Sequence, residues 1–74
     1  MTTKELGTLL RATRITQGLR QDQLAAAAGV GVRFLIELEA GKPTAQLGKT
    51  LQVIEALGCR VQIAVPSPTS GDRR

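Results

Sequence analysis

The sequence predicts an all-α domain of four short helices, followed by one C-terminal β-strand that pairs with its copy in a second subunit. Three observations carry this. Apolar residues recur at three- and four-residue intervals as far as Leu57, glycines at 18, 29, 41 and 58 punctuate that pattern, and the period drops to two over residues 61–65.

The first helix spans Lys4 to Gln17, with Leu6, Leu9, Leu10 and Thr13 forming its stripe and Thr3 placed to cap it. Gly18 ends it and Leu19 packs back over the last turn. The second helix, Gln21 to Ala28, reads QDQLAAAA, with Asp22 near the positive end of the helix dipole and Gly29 as the stop. Two turns do not persist alone, so Leu24, Ala25 and Ala28 must anchor them to neighbours. The small alanines let another helix cross at close range.

The third helix runs from Val32 to Glu39, with Leu35 and Leu38 inward and Val32, Arg33, Ile36 and Glu37 outward. Gly41 ends it, Lys42 and Pro43 form a loop, and Thr44 is the expected N-cap of a fourth helix with the stripe Leu47, Leu51, Ile54 and Leu57. Gly58 stops that helix.

Beyond it, Val61, Ile63 and Val65 alternate with Arg60, Gln62 and Ala64 until Pro66. A lone strand cannot satisfy its own backbone donors and acceptors. It is expected to pair across a two-fold axis as an antiparallel ribbon. The domain therefore covers residues 1–65, and 66–74, lacking residues to bury, form a disordered tail.

Composition points to the same assembly. The chain has 74 residues, 42% of them apolar, and a single aromatic residue, Phe34, so its core is built from Leu, Ile, Val and Ala. So short a chain usually needs a disulfide, a metal or a second subunit. Cys59 is the only cysteine and histidine is absent, which leaves the second subunit. The same inventory offers no nucleophile and base, no paired-carboxylate setting and no glycine-rich phosphate loop, so neither an enzyme nor a cofactor is expected. The N-terminus MTTKELGTLL lacks the apolar core of a secretion signal, which suggests a cytoplasmic protein. Ten basic against six acidic residues leave a net charge of +4, which favours polyanionic partners.

Gln21 to Ala40 carries the constellation of a helix-turn-helix: Leu24 and Ala25 inward, Ala28 at the crossing, Gly29 in the turn, and Val30, Leu35 and Leu38 closing the core. With its flanks, LRATRITQGLRQDQLAAAAGV before and ELEAGKP after, the chain resembles the phage-repressor-like (Xre, or Cro/C1-type) helix-turn-helix family from Leu6 to Leu57. In that family an arginine of the first helix pairs with a glutamate at the end of the recognition helix. Arg14 and Glu39 stand at the matching positions.

The resemblance implies that helix three enters the major groove of double-stranded DNA while helix two lies across the backbone. Val32, Arg33, Ile36 and Glu37 are then the candidate base contacts. Arg33 fits either guanine O6 and N7 or a phosphate, Val32 and Ile36 fit thymine methyls, and Glu37 either accepts from cytosine N4 or pairs with Arg33 one turn back. Family members often carry a polar residue where Ile36 stands. Gln21 matches a family glutamine that clamps a phosphate, and Arg20, Lys42 and Thr44 are further backbone candidates. Phe34 reads as packing rather than as a base wedge.

RFLIELEAGKPTAQLGKTLQVIEALG and the terminal strand are similar to the HipB-type antitoxins. That similarity implies a homodimer joined through Val61, Ile63 and Val65, binding an inverted-repeat operator and a HipA-like Ser/Thr kinase toxin. Two other readings share parts of this sequence: a stand-alone Xre-type regulator, and an interaction module whose groove face is idle.

Overall fold

A computed structural model describes residues 1–67. It contains four helices: α1 (Thr3–Thr16), α2 (Gln21–Ala28), α3 (Val32–Glu39) and α4 (Leu47–Ala56). α3 packs against α1 and α2, and α4 packs against α2.

α1 starts one residue earlier than expected, and its cap is Thr2 rather than Thr3. The Thr2 hydroxyl accepts from the Glu5 N–H at 3.0 Å, and the Glu5 carboxylate accepts from the Thr2 N–H at 2.7 Å. This reciprocal pairing favours Thr2 because only Thr2 has a glutamate three residues on. Thr3 is thereby free to reach the turn after α3, where its hydroxyl donates to the Gly41 carbonyl at 2.9 Å.

The buried face of α1 comprises Gly7, Leu10 and Arg14, whereas Leu9 is exposed. The expected stripe therefore fails at Leu9. The reason is that a glycine and an arginine occupy positions a hydrophobic pattern assigns to leucine. A Cβ at Gly7 would sit 2.4 Å from the Leu38 carbonyl oxygen and 2.7 Å from that of Glu39, so the end of α3 rests directly on the α1 backbone.

α2 and α3 have the bounds the sequence predicts. Gly29 between them has a φ of 74°, a left-handed conformation that a side chain would strain. The turn is closed by the Val30 N–H donating to the Ala25 carbonyl at 3.0 Å. Leu24 and Leu35 are completely buried, and each such leucine contributes about 1.5–3 kcal/mol.

α4 departs more from expectation. Thr44 lies in the preceding turn, and the residue before the helix is Gln46, whose side chain makes no capping bond. The buried face is Thr50, Val53, Ile54 and Leu57, while Leu47 and Leu51 are exposed at 70% and 44%. Thr50 takes a core position because its hydroxyl donates to the Gln46 carbonyl at 2.8 Å, which removes the cost of burying it. The Gln17 amide ties the end of α1 to the end of α4 by donating to the Leu57 carbonyl at 2.7 Å.

Residues 59–67 carry no strand in the single chain, and Val61, Ile63 and Val65 are exposed. A strand exists only with a partner ladder, and this chain has none to offer within residues 1–67. Of the tail expected over 66–74, residues 68–74 lie outside the described residues. No helix among the described residues is long and apolar enough to cross a membrane.

Candidate nucleic-acid interface

The site is built around a buried charge pair. Arg14 on α1 donates through Nε to Glu39 Oε2 at 2.7 Å and through Nη2 to Glu39 Oε1 at 3.1 Å. Its third prong, Nη1, donates to the Leu19 carbonyl at 2.8 Å. Gln21 adds a link from α2, its amide donating to Glu39 Oε1 at 3.1 Å. Three elements therefore converge on one carboxylate at the C-terminal end of α3. The hydrogen bond to Glu39 holds the Arg14 guanidinium above its ordinary pKa, against the opposing cost of burial. With four hydrogen bonds made by the two side chains, the pair is satisfied, and it fixes how α3 sits on α1.

With its inner face locked, α3 turns Val32, Arg33, Ile36 and Glu37 outward. Val32 and Ile36 are 41% and 44% exposed, Arg33 is exposed and Glu37 half-buried. Arg33 has no ion-pair partner among the described residues. The expected pairing of Glu37 with Arg33 is not formed. Glu37 instead accepts from Lys42 Nζ at 3.0 Å. The turn beyond α3 accounts for this, since the Lys42 N–H donates to the Glu37 carbonyl at 3.0 Å and carries the lysine back over that residue.

The backbone candidates lie at the start of α2 and in the turn after α3. At the start of α2, the Arg20 N–H donates to Gln23 Oε1 at 2.9 Å, and the N–H groups of the first turn, as at any helix start, lack intrahelical acceptors. The exposed Arg20 guanidinium lies 3.1 Å from Asp22 Oδ1, and that hydrogen bond holds the Asp22 carboxyl below its ordinary value. Gln21 is half-buried and already spends one amide hydrogen on Glu39, which orients it. Across α3, Lys42 and Thr44 are exposed in the turn before α4.

A further cation, unmarked by any motif in the sequence, stands beside this face. Lys49 Nζ stands 5.7 Å from the centre of the Phe34 ring, and both residues line a shallow depression with Lys42, Thr44 and Gln46. The attraction of an ammonium for an aromatic face gives Lys49 a defined position. Phe34 is half-buried against the core, as expected, and Lys49 stands over its ring. The seven-residue spacing of the two lysines across a predicted loop was the available signal. Among the described residues there is no group of three or more His, Cys, Asp and Glu that could hold a metal ion.

Residues 5–62 match the model of a family described as a helix-turn-helix domain. The chain is also similar to an uncharacterized HTH-type transcriptional regulator, y4mF, of Sinorhizobium fredii. The two are 55% identical over 73 residues, which cover 99% of this chain and 91% of that protein.

Proposed function

The chain belongs to the helix-turn-helix domain family, and from that premise we propose that it is a DNA-binding transcriptional repressor that reads duplex DNA with the outer face of α3. The observation that carries this reading is Arg33, exposed and without an ion-pair partner among the described residues, on a helix whose opposite face is locked by Arg14 and Glu39. A guanidinium held on a rigid support suits the forked contact to guanine. The HTH-type regulator from S. fredii, similar over nearly the whole chain, supports the same reading.

In the proposed complex Val32, Arg33 and Ile36 meet base edges, Arg20, Gln21 and Thr44 hold phosphates, and Lys42, the remaining backbone candidate, stands at the same edge in its pair with Glu37. Two copies join through a ribbon of Val61, Ile63 and Val65 and bind an inverted repeat with half-sites roughly 34–36 Å apart. The exposure of these three side chains, together with that of Leu47 and Leu51, supports a subunit contact. We assign the protein to the HipB-type branch of Xre regulators, an antitoxin that also binds a HipA-like kinase toxin. That assignment is supported by the resemblance of residues 33–58 and by the alternating segment that follows.

The test is binding of the full chain to duplexes selected from a randomised pool, followed across salt concentration. Binding through phosphates weakens steeply between low and moderate salt, whereas binding that does not respond to salt, or no selection of any sequence, defeats the reading. Copurification with the kinase-like protein encoded beside its gene tests the antitoxin assignment, and the absence of such a neighbour defeats that part alone.

A further inference from the structure

The Glu37–Lys42 pair lies on the face that would meet DNA, and it joins two groups of opposite effect there. On the helical wheel Glu37 projects within about one residue's rotation of Arg33, near the middle of the exposed face of α3. Its Oε1 is 3.0 Å from Lys42 Nζ, and the two side chains are 38% and 47% exposed. Exposed pairs of this kind contribute little to stability, so folding alone gives the arrangement small benefit. Its electrostatic consequence is larger. Duplex DNA is lined with phosphates, so a carboxylate on the reading helix is repelled, while a lysine in the next turn is attracted.

Resting on the DNA-binding reading above, we propose that Glu37 limits DNA affinity by holding Lys42 in a neutral pair and so withholding one cation per subunit from the phosphate backbone. With the pair closed, a random sequence gains nothing from Lys42. If Lys42 swings to a phosphate, Glu37 is left unpaired in a strongly negative groove. Either way the phosphate contribution is reduced for every sequence alike, while the forked contact of Arg33 to a correct base is untouched. Arg33 is available for that contact because Lys42 has taken the carboxylate that would otherwise sit one helical turn from it. The device lowers affinity and salt dependence without a base contact of its own.

The test compares wild type, Glu37→Gln, Lys42→Met and the double variant. Each is titrated against a duplex selected from a random pool by the wild type and against a scrambled duplex of equal length, over a series of salt concentrations. Thermal melts check that these exposed substitutions leave the fold intact. Releasing Lys42 in Glu37→Gln steepens the salt dependence on both duplexes by about 0.9 per subunit and tightens binding to both by about tenfold per subunit near 0.1 M salt, with selectivity unchanged. Lys42→Met weakens binding to both duplexes, and the double variant returns to the wild-type salt slope, as expected of two groups acting as one unit. An unchanged salt slope in Glu37→Gln overturns the proposal. So does a loss of binding confined to the selected duplex, which makes Glu37 a direct reader of cytosine. If wild type binds neither duplex, the DNA-binding reading itself fails and takes this proposal with it.

Discussion

Arg14 grips Glu39 with two prongs, at 2.7 and 3.1 Å, and turns its third toward the Leu19 carbonyl at 2.8 Å. The side chains are 10% and 3% exposed, so neither charge has water to fall back on. Arg14→Met leaves the Glu39 carboxylate with only the Gln21 amide, and we expect it to cost about 3–5 kcal/mol in denaturant unfolding at fixed protein concentration. Arg14→Met with Glu39→Leu recovers most of that loss, since what is expensive is one buried charge without the other. The pH behaviour has a definite sign. A guanidinium with a raised pKa contributes its stability at all pH values below its ordinary one and loses it only as pH climbs through the folded value. Arg14 therefore adds no slope to stability across the neutral range, and a fall in stability with rising pH there that Arg14→Met abolishes would contradict this.

Gly7 sets the distance between α1 and α3. Alanine is the better helix former by about 0.5–1 kcal/mol, which on propensity alone makes Gly7→Ala stabilising. Its Cβ would lie 2.4 Å from the Leu38 carbonyl oxygen, and the backbone of α3 must move to admit it. The net expectation is a loss of about 1–3 kcal/mol. Because Glu39 moves with that backbone, DNA affinity should fall as well. A thermal melt of Gly7→Ala at or above wild type would show that α3 does not rest on α1 as described.

Arg33→Ala removes the forked donor and leaves the fold alone. It should cost about 1–3 kcal/mol of affinity for a selected duplex and flatten preference at one base pair of each half-site. Unaltered preference in a repeat selection, with affinity lowered equally for all sequences, assigns Arg33 to a phosphate instead.

Ile63 is 83% exposed in the single chain, so its packing there contributes little. Ile63→Pro deletes one backbone donor from the proposed ribbon and should give monomers by light scattering, with weak binding to an inverted repeat. A wild-type chain that is monomeric at the same concentration would remove the ribbon altogether.

Helix bounds were legible in the sequence wherever the signal was local. α2 and α3 begin and end as read because QDQLAAAA and the glycines that follow each helix act over a few bonds. The outward residues of α3 were legible too, since burying Leu35 and Leu38 on a helix points Arg33 and Ile36 away from them. The start of α4 was not. Thr44 is a better capping residue than Gln46, yet the chain after Gly41 must first return to the core before a helix can dock.

Hydrophobicity alone also misplaced the faces of α1 and α4. It selected Leu9, Leu47 and Leu51, whereas the packed molecule buries Gly7, Arg14 and Thr50. Each of these three is buried because of an atom distant in sequence or a bond along the backbone: the α3 carbonyls against Gly7, Glu39 against Arg14, the Gln46 carbonyl against the Thr50 hydroxyl. The partner of Glu37 was decided in the same way, by a turn that carries Lys42 back over it. Periodicity and turn chemistry are properties of neighbours along the chain, so the sequence by itself determined four helices and which side of α3 faces outward. Which polar groups may be buried, and which charges pair, depends on complementary atoms arriving from elsewhere, and only the tertiary structure decides that.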